Sequence, residues 1–275
     1  MRVGSSSRAA LFLSCAAHRS AGFLFSARAH ALQAAPYRAI ATMTARTPSE
    51  MTGWDIAEAC RATLLDYAAV ADGYAQGNMN HDVSQNIDAM LRPLVDRPAP
   101  LDILDVCCAS GRDLLTFKKM GHRAVGLDGV PRFCELSRAH SGCEVLEQDL
   151  SALLLTPERA DSFDAIFCNA CLFHLPSAAL PAALAQLRAA LREGGILFCS
   201  NAHGFGKDNE GWTDGRTDGT RSYVCWLSEQ TWKDIVTRQG FELLESFYRP
   251  PGKPRAQQPF LATVWRKPAR GESAD

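Results

Sequence analysis

Acid is missing from the first 49 residues of this 275-residue chain, whose earliest carboxylate is Glu50. Also missing is any run approaching the roughly 20 apolar residues of a membrane span, so no spanning helix is expected. Cys168-x-x-Cys171 has no second such pair at zinc spacing, and no metal is expected from the cysteines. Gly-x-Gly-x-x-Gly does not occur, which excludes the dinucleotide fingerprint, and the lack of Gly-x-Ser-x-Gly excludes a hydrolase nucleophile elbow. No internal repeat of fixed period is present.

The acid-free head carries Arg2, Arg8, Arg19, Arg28, Arg38 and Arg46. Without those six, 23 of the 29 basic residues remain against 30 acidic ones, so the rest of the chain stands at −7. That balance offers no general attraction to nucleic acid, and no nucleic-acid partner is expected. Residues 1–46, rich in Arg, Ser and Ala, have the profile of an organelle transit peptide and are expected to be disordered. Arginines spread throughout favour the mitochondrion over the plastid, and initiation at Met43 would leave a cytosolic form. A secretory signal built on AALFLSCAA is the rival, but basic residues continue to Arg46, which a short signal does not need. Of ten cysteines, Cys107, Cys108, Cys134, Cys168, Cys171 and Cys199 lie in or beside apolar runs and read as buried thiols.

Helical spacing runs through WDIAEACRATLLDYAAVADGYA and SQNIDAMLRPLV, giving a helical cap over residues 47–100. From Leu101 strands and helices alternate: LDILDV, DLLTFKKM; RAVGLD, PRFCELSRAH; EVLEQD; FDAIFCN, LPAALAQLRAALRE; GILFCSN. This rhythm predicts parallel βαβ units. Residues 203–221 are glycine-rich and aperiodic, predicting a loop or lid rather than an element. A helix in LSEQTWKDIVTRQG then precedes FELLESFY and PFLATVWRK, two strands whose short connection makes them antiparallel. The expected fold is α/β: a doubly wound, Rossmann-like seven-stranded sheet, mostly parallel with an antiparallel C-terminal hairpin and helices on both faces. Its ligand-binding domain spans 101–268, followed by a disordered tail over 269–275.

Ligands of open α/β sheets bind beyond the carboxyl ends of the strands. Those ends carry Asp105, Asp128, Asp149 and Asn169, spaced 23, 21 and 20 residues apart, one βα unit each. Ala109, Ser110 and Gly111 are small enough to bring backbone close to a ligand at a helix N-terminus. Asp128 can accept both hydroxyls of a ribose, and Asp149 can accept from an exocyclic amine such as that of adenine.

LDVCCASGRDLLTFKKMGHRAVGLDGVPRF resembles the first two motifs of class I S-adenosylmethionine-dependent methyltransferases, and the likeness continues through EQDL, FDAIFCNACLFHLP and LREGGILF. Tyr67-x-x-x-Ala71-x-x-Tyr74 is similar to the lead helix of many small-molecule members. The resemblance covers about residues 54–265 and implies S-adenosyl-L-methionine as cofactor, with a small-molecule acceptor offering an O, N or S nucleophile. It also implies cofactor contacts at Asp105, Cys107, Ala109, Gly111, Asp128, Asp149, Leu150 and Asn169. Cys107 and Ala109 stand where the family has glycines; both are small and need no positive φ unless the local backbone demands it. Methyl transfer depends chiefly on alignment, and a base is required only where the acceptor must lose a proton. His174 is the candidate base and Tyr74 the residue expected to close over the cofactor. Tyr223, Trp226, Trp212 and Arg249 are candidate pocket residues, and NACL stands where an amino-methylating enzyme of nucleic-acid bases would have an Asn-Pro-Pro-Tyr-like run. The alternative is a cofactor-binding subunit that activates a partner without catalysing transfer.

Overall fold

The computed structural model describes residues 53–213, 222–269 and 271. The head read as an address and most of the tail lie outside the described residues. Helix α1 (Gly53–Asn78) and helix α2 (Ser84–Leu91) precede the first strand. Then follow β1 (Asp102–Val106), α3 (Arg112–Lys119), β2 (Arg123–Asp128), α4 (Pro131–Ser141), β3 (Glu144–Glu147) and β4 (Phe163–Asn169). The remainder comprises α5 (Leu180–Ala190), β5 (Leu191–Ala202), β6 (Asn209–Trp212), β7 (Tyr223–Trp226), α6 (Glu229–Arg238), β8 (Glu242–Arg249) and β9 (Phe260–Arg266).

Seven strands form one sheet in the order β3-β2-β1-β4-β5-β9-β8. Strands β1 to β5 pair in parallel, whereas β9 runs antiparallel to both β5 and β8. This is the doubly wound, mostly parallel sheet that the strand and helix rhythm predicts. The order reverses between β1 and β4, which opens a crevice beyond their carboxyl ends.

Burial explains why the central strands read as unbroken apolar runs. Phe163 to Cys168 are all buried because helices cover both faces of the sheet. On one face Ile87 and Met90 of α2 and Phe117 of α3 pack on Ile103, Phe167, Phe198 and Val264. On the other, Leu184 and Leu187 of α5 and Trp232 and Val236 of α6 pack on Leu104, Ile166, Leu197 and Trp265. At about 25 cal/mol per Å² of apolar surface removed from water, these two layers supply most of the drive to fold.

Two elements depart from the sequence reading. The helix expected through LPAALAQLRAALRE stops at Ala190, because Leu191 instead pairs with Phe163 at a bulge where β5 joins β4. The stretch expected to be without elements contains β6, which pairs antiparallel with β7 from Asn209 opposite Trp226 to Trp212 opposite Tyr223. A long-range anchor makes that ribbon: the buried Glu210 carboxylate accepts the Ser177 N–H at 2.7 Å and its hydroxyl at 3.0 Å. Of the same stretch, residues 214–221 lie outside the described residues.

At the amino ends of the strands the charges are paired. Asp164, buried at the start of β4, meets Arg97 and Arg192 at 2.8 Å each, while Asp102 meets Arg123 at 2.5 Å and Arg192 at 2.9 Å. The Asp102 N–H also donates to Asp164 at 2.9 Å.

The turn from β1 into α3 is strained. Cys107 has φ 56°, Ala109 φ 45° and Gly111 φ 78°. The local backbone therefore does demand positive φ at both positions where the family's glycines are replaced, and a side chain there costs about 1–2 kcal/mol. Gly111 admits no replacement, since a Cβ would lie 2.6 Å from the Ser137 hydroxyl and 3.0 Å from its Cα on α4. Ala109→Gly is expected to stabilise the protein by about 0.5–1 kcal/mol, the relieved strain less the entropy of an added glycine in the unfolded chain. Thermal unfolding should shift upward by about 1–4 °C; an unchanged or lower midpoint would show that the turn stores no strain at this residue.

Candidate functional site

Asp128 ends β2 with its carboxylate turned inward. Its Oδ2 accepts the Ala109 N–H at 3.0 Å and its Oδ1 the Val130 N–H at 2.9 Å, with the Gly129 N–H as a further donor. Burial pushes its pKa up to about 6 against the pull of these three donors. A carboxylate has about four lone-pair sites, so this arrangement leaves one for a ribose hydroxyl rather than the two that the sequence suggested.

Asp105, next to last in β1, is also buried, and its Oδ2 has no hydrogen-bond partner among the described residues. Burial holds its pKa well above the usual carboxylate range; Asp113 and Asp128 add to the effect and Arg112 opposes it. The Arg112 guanidinium is already committed, to Asp113 at 2.7 and 2.8 Å and to the Asn78 carbonyl at 3.0 Å. A group with N–H donors, such as the amino-acid end of S-adenosylmethionine carries, would supply a partner for that Asp105 oxygen. Ser110, in the same turn, donates to the Met79 sulfur at 3.2 Å, which brings the end of α1 over the turn.

The next two rim residues are used structurally. Asp149 caps a short 3₁₀ turn by accepting the Ser151 N–H at 2.8 Å, and Leu150 behind it packs against the core. Leu64 of α1 sits over Gly129, where a Cβ would come within 2.8 Å of its methyl. Asn169 ends β4 and accepts from Asn86 of α2 at 2.9 Å; Asn86 is buried and its own Oδ1 is without a partner among the described residues. Directly after it Ala170 has φ 61°, so three of the strained non-glycine residues stand at the ends of β1 and β4. Strain of this kind collects at functional sites.

His174 lies in a short 3₁₀ turn after β4, with Nδ1 2.9 Å from the Tyr223 carbonyl and Nε2 2.9 Å from the Tyr67 hydroxyl. Its partner on α1 is therefore Tyr67, not Tyr74. Tyr74 meets Tyr67 edge-on at 5.4 Å and Phe133 at 5.5 Å, in the cluster that also contains Ala109. Tyr67, Ala71 and Tyr74, spaced i, i+4 and i+7, share the face of α1 that covers the turn and α4.

The suggested pocket residues separate. Tyr223 is buried on β7 and meets the half-buried Trp212 edge-on at 5.7 Å. Trp226 is buried among Ala202, Val224, Phe173 and Phe260, a packing position. Arg249, at the end of β8 on the ligand rim, reaches the Asp82 carbonyl at 3.4 Å, and burial lowers its pKa. Sequence reasoning missed Thr63, Asn86 and the pairing of Tyr67 with His174. The spacing of Tyr67 from Tyr74 marked the helix face but not the meeting with His174, and Asn86 carried no signal.

Comparison with known proteins accords with this geometry. A family model described as a methyltransferase domain matches residues 75–246, more than half of the chain. The ubiquinone biosynthesis O-methyltransferase of Xanthomonas axonopodis pv. citri (strain 306) is 34% identical over 107 residues, 38% of this chain and 44% of that protein. The malonyl-[acyl-carrier protein] O-methyltransferase of Xylella fastidiosa (strain M23) is 34% identical over 125 residues, 44% of this chain and 41% of that one. The chain thus spans less than half the length of these curated relatives. Among solved structures, the 1,6-didemethyltoxoflavin-N1-methyltransferase of Burkholderia thailandensis, with 1,6-didemethyltoxoflavin and S-adenosylhomocysteine bound, superposes with a TM-score of 0.62. It is 20% identical, with 78% of this chain and 91% of that chain covered, a likeness of fold.

If Asp128 receives a ribose hydroxyl, as the family resemblance implies, the bond is stronger to the ionised carboxylate, and affinity for S-adenosylhomocysteine is expected to weaken as pH falls through about 6. Its folded-state pKa is raised, so its effect on stability has the opposite sign: a contribution present below the unfolded value and lost as pH rises through about 6. Asp128→Ala should weaken binding about tenfold near neutral pH and remove the step. Calorimetry across this range checks both, and pH-independent affinity in the wild type would show that the carboxylate does not contact the nucleoside.

Proposed function

Since the chain belongs to the methyltransferase-domain family, we propose that it transfers a methyl group from S-adenosylmethionine to an oxygen of a small-molecule acceptor. The observation that carries this reading is the rim: an unpartnered buried Asp105 oxygen, the strained turn and Asp128 lie together beyond the ends of β1 and β2. These residues fit the cofactor. In this reading Asp105 and the turn receive its amino-acid end, Asp128 its ribose, and Asp149 with Leu150 its adenine, near Leu64.

S-adenosylmethionine supplies an electrophilic methyl on a sulfonium centre. The protein's share is then alignment and removal of a proton, because an alcohol, phenol or carboxylic acid must lose one. Oxygen is favoured over nitrogen or sulfur because both curated relatives are named O-methyltransferases. A small acceptor is favoured by the −7 balance of the chain beyond its head, which gives nucleic acid no general attraction. The alternative, a subunit that binds cofactor only to activate a partner, drew on the replaced glycines. The turn keeps positive φ at both replaced positions, a backbone open to glycine, which leaves the alternative without a specific observation in its favour.

The head is proposed to be a mitochondrial address on composition alone. Residues 1–46 fused to a fluorescent reporter should direct it to mitochondria; diffuse or secretory fluorescence would reject this. For the activity, full-length protein with methyl-labelled S-adenosylmethionine should label phenol or carboxylic acid probes in preference to amine or thiol probes. Binding of the cofactor without label transfer to any probe would favour the activating subunit.

A further inference from the structure

We propose that Tyr67 is the residue that takes the acceptor's proton, with His174 acting through it as a positioning residue and proton store. This rests on the reading of the chain as a methyltransferase with a protonated small acceptor.

Hydrogen positions can be assigned from the bonding around the imidazole. A carbonyl only accepts, so Nδ1 of His174, 2.9 Å from the Tyr223 carbonyl, carries the ring proton. Nε2 then presents a lone pair, and the Tyr67 hydroxyl at 2.9 Å must donate to it. The Tyr223 backbone is fixed in turn, its N–H donating to the Thr63 hydroxyl at 3.0 Å while that hydroxyl donates to the Ala59 carbonyl at 2.8 Å. Thr63 and Tyr67 are one turn apart on α1, so the bonds close a ring: Thr63, Tyr223, His174, Tyr67 and back to the same helix. Edge contacts with His174 at 5.3 Å and Tyr74 at 5.4 Å orient the Tyr67 ring.

Two consequences follow for an acceptor beyond the end of β4. The basic nitrogen of His174 faces the phenol, so the acceptor's proton reaches it through Tyr67. The phenolic oxygen, having donated its hydrogen, keeps lone pairs that accept from an acceptor O–H. In the transfer, the acceptor O–H bond breaks as its proton moves to the Tyr67 oxygen, whose own proton moves to Nε2. The acceptor oxygen forms the new bond to carbon, the carbon–sulfur bond breaks with its electron pair going to sulfur, and the positive charge ends on the His174 imidazolium. No oxidant or reductant is needed. A phenol with an ordinary pKa of about 10 is a slow base near neutrality; passing its own proton on to imidazole removes that handicap.

The test compares full-length wild type with Tyr67→Phe, His174→Gln and the double variant. Each is assayed with labelled S-adenosylmethionine and 3,4-dihydroxybenzoate as the hydroxyl probe, with cofactor affinity measured by calorimetry. Tyr67→Phe keeps the ring and its packing, and thermal unfolding checks that the fold survives. Expected are a loss of about 10²–10⁴ in kcat for Tyr67→Phe and a KM and cofactor Kd within about threefold of wild type, the mark of an interaction made only in the transition state. The double variant should be no slower than Tyr67→Phe alone, because the two residues act as one unit. Wild-type kcat in Tyr67→Phe, independent losses in the double variant, or loss of cofactor binding in Tyr67→Phe would each overturn the assignment and leave the reading of the protein as a methyltransferase standing. A wild type that binds the cofactor but does not label the probe would instead reject the protonated small acceptor, and the assignment with it.

Discussion

The carboxylate of Asp128 is the constraint around which the rim is built. It sits at the end of β2, and the parallel register that sets Val106 beside Leu127 brings it level with the turn leaving β1. By accepting N–H groups from Ala109, Gly129 and Val130, it joins two turns that are 19 residues apart in sequence. A left-handed residue such as Ala109 is disfavoured on its own, and a buried charge-assisted hydrogen bond contributes about 1.5–3 kcal/mol, enough to hold it there. The same burial raises the carboxyl's own pKa. Stability and ionisation at this position therefore oppose one another.

The two ends of the sheet differ in how their polar groups are satisfied. At the amino ends, Asp102 and Asp164 are held by Arg97, Arg123 and Arg192. At the carboxyl ends, oxygens of Asp105 and Asn86 and the Nε of Arg249 are buried without partners, among the described residues. Burying a polar group without a partner costs about 1–3 kcal/mol, a cost that a ligand bound at the carboxyl ends would offset for Asp105.

Helix α1 turns that rim into an enclosed site. Its Leu64 lies over Gly129, its Tyr67 reaches His174, its Tyr74 packs at a tilt against Phe133, and its Thr63 holds β7. The aromatic face of one helix thereby touches the expected nucleoside region, the loop after β4 and the β6–β7 ribbon. The proposed proton relay and the packing over Gly129 share the same turns of backbone, so a shift of α1 would disturb both.

Much of this was legible along the chain. Apolar runs of period two or of continuous burial marked the seven strands, and polar residues at their carboxyl ends marked Asp105, Asp128, Asp149 and Asn169, because both signals are local and repeat with each βα unit. The Tyr67 and Tyr74 spacing marked a helix face for the same reason. Positive φ at Cys107 and Ala109 was not legible, since the bond that holds Ala109 comes from a carboxylate 19 residues away. Nor was the β6 strand, which depends on Glu210 reaching Ser177, or the choice of Tyr67 over Tyr74 as partner of His174. The sequence by itself determined the order of elements and which side of the sheet bears chemistry, because hydrophobic period and strand-end residues act over a few positions. Tertiary structure alone decided which side chains meet and which backbone is strained, because those depend on distances between segments that no local pattern encodes.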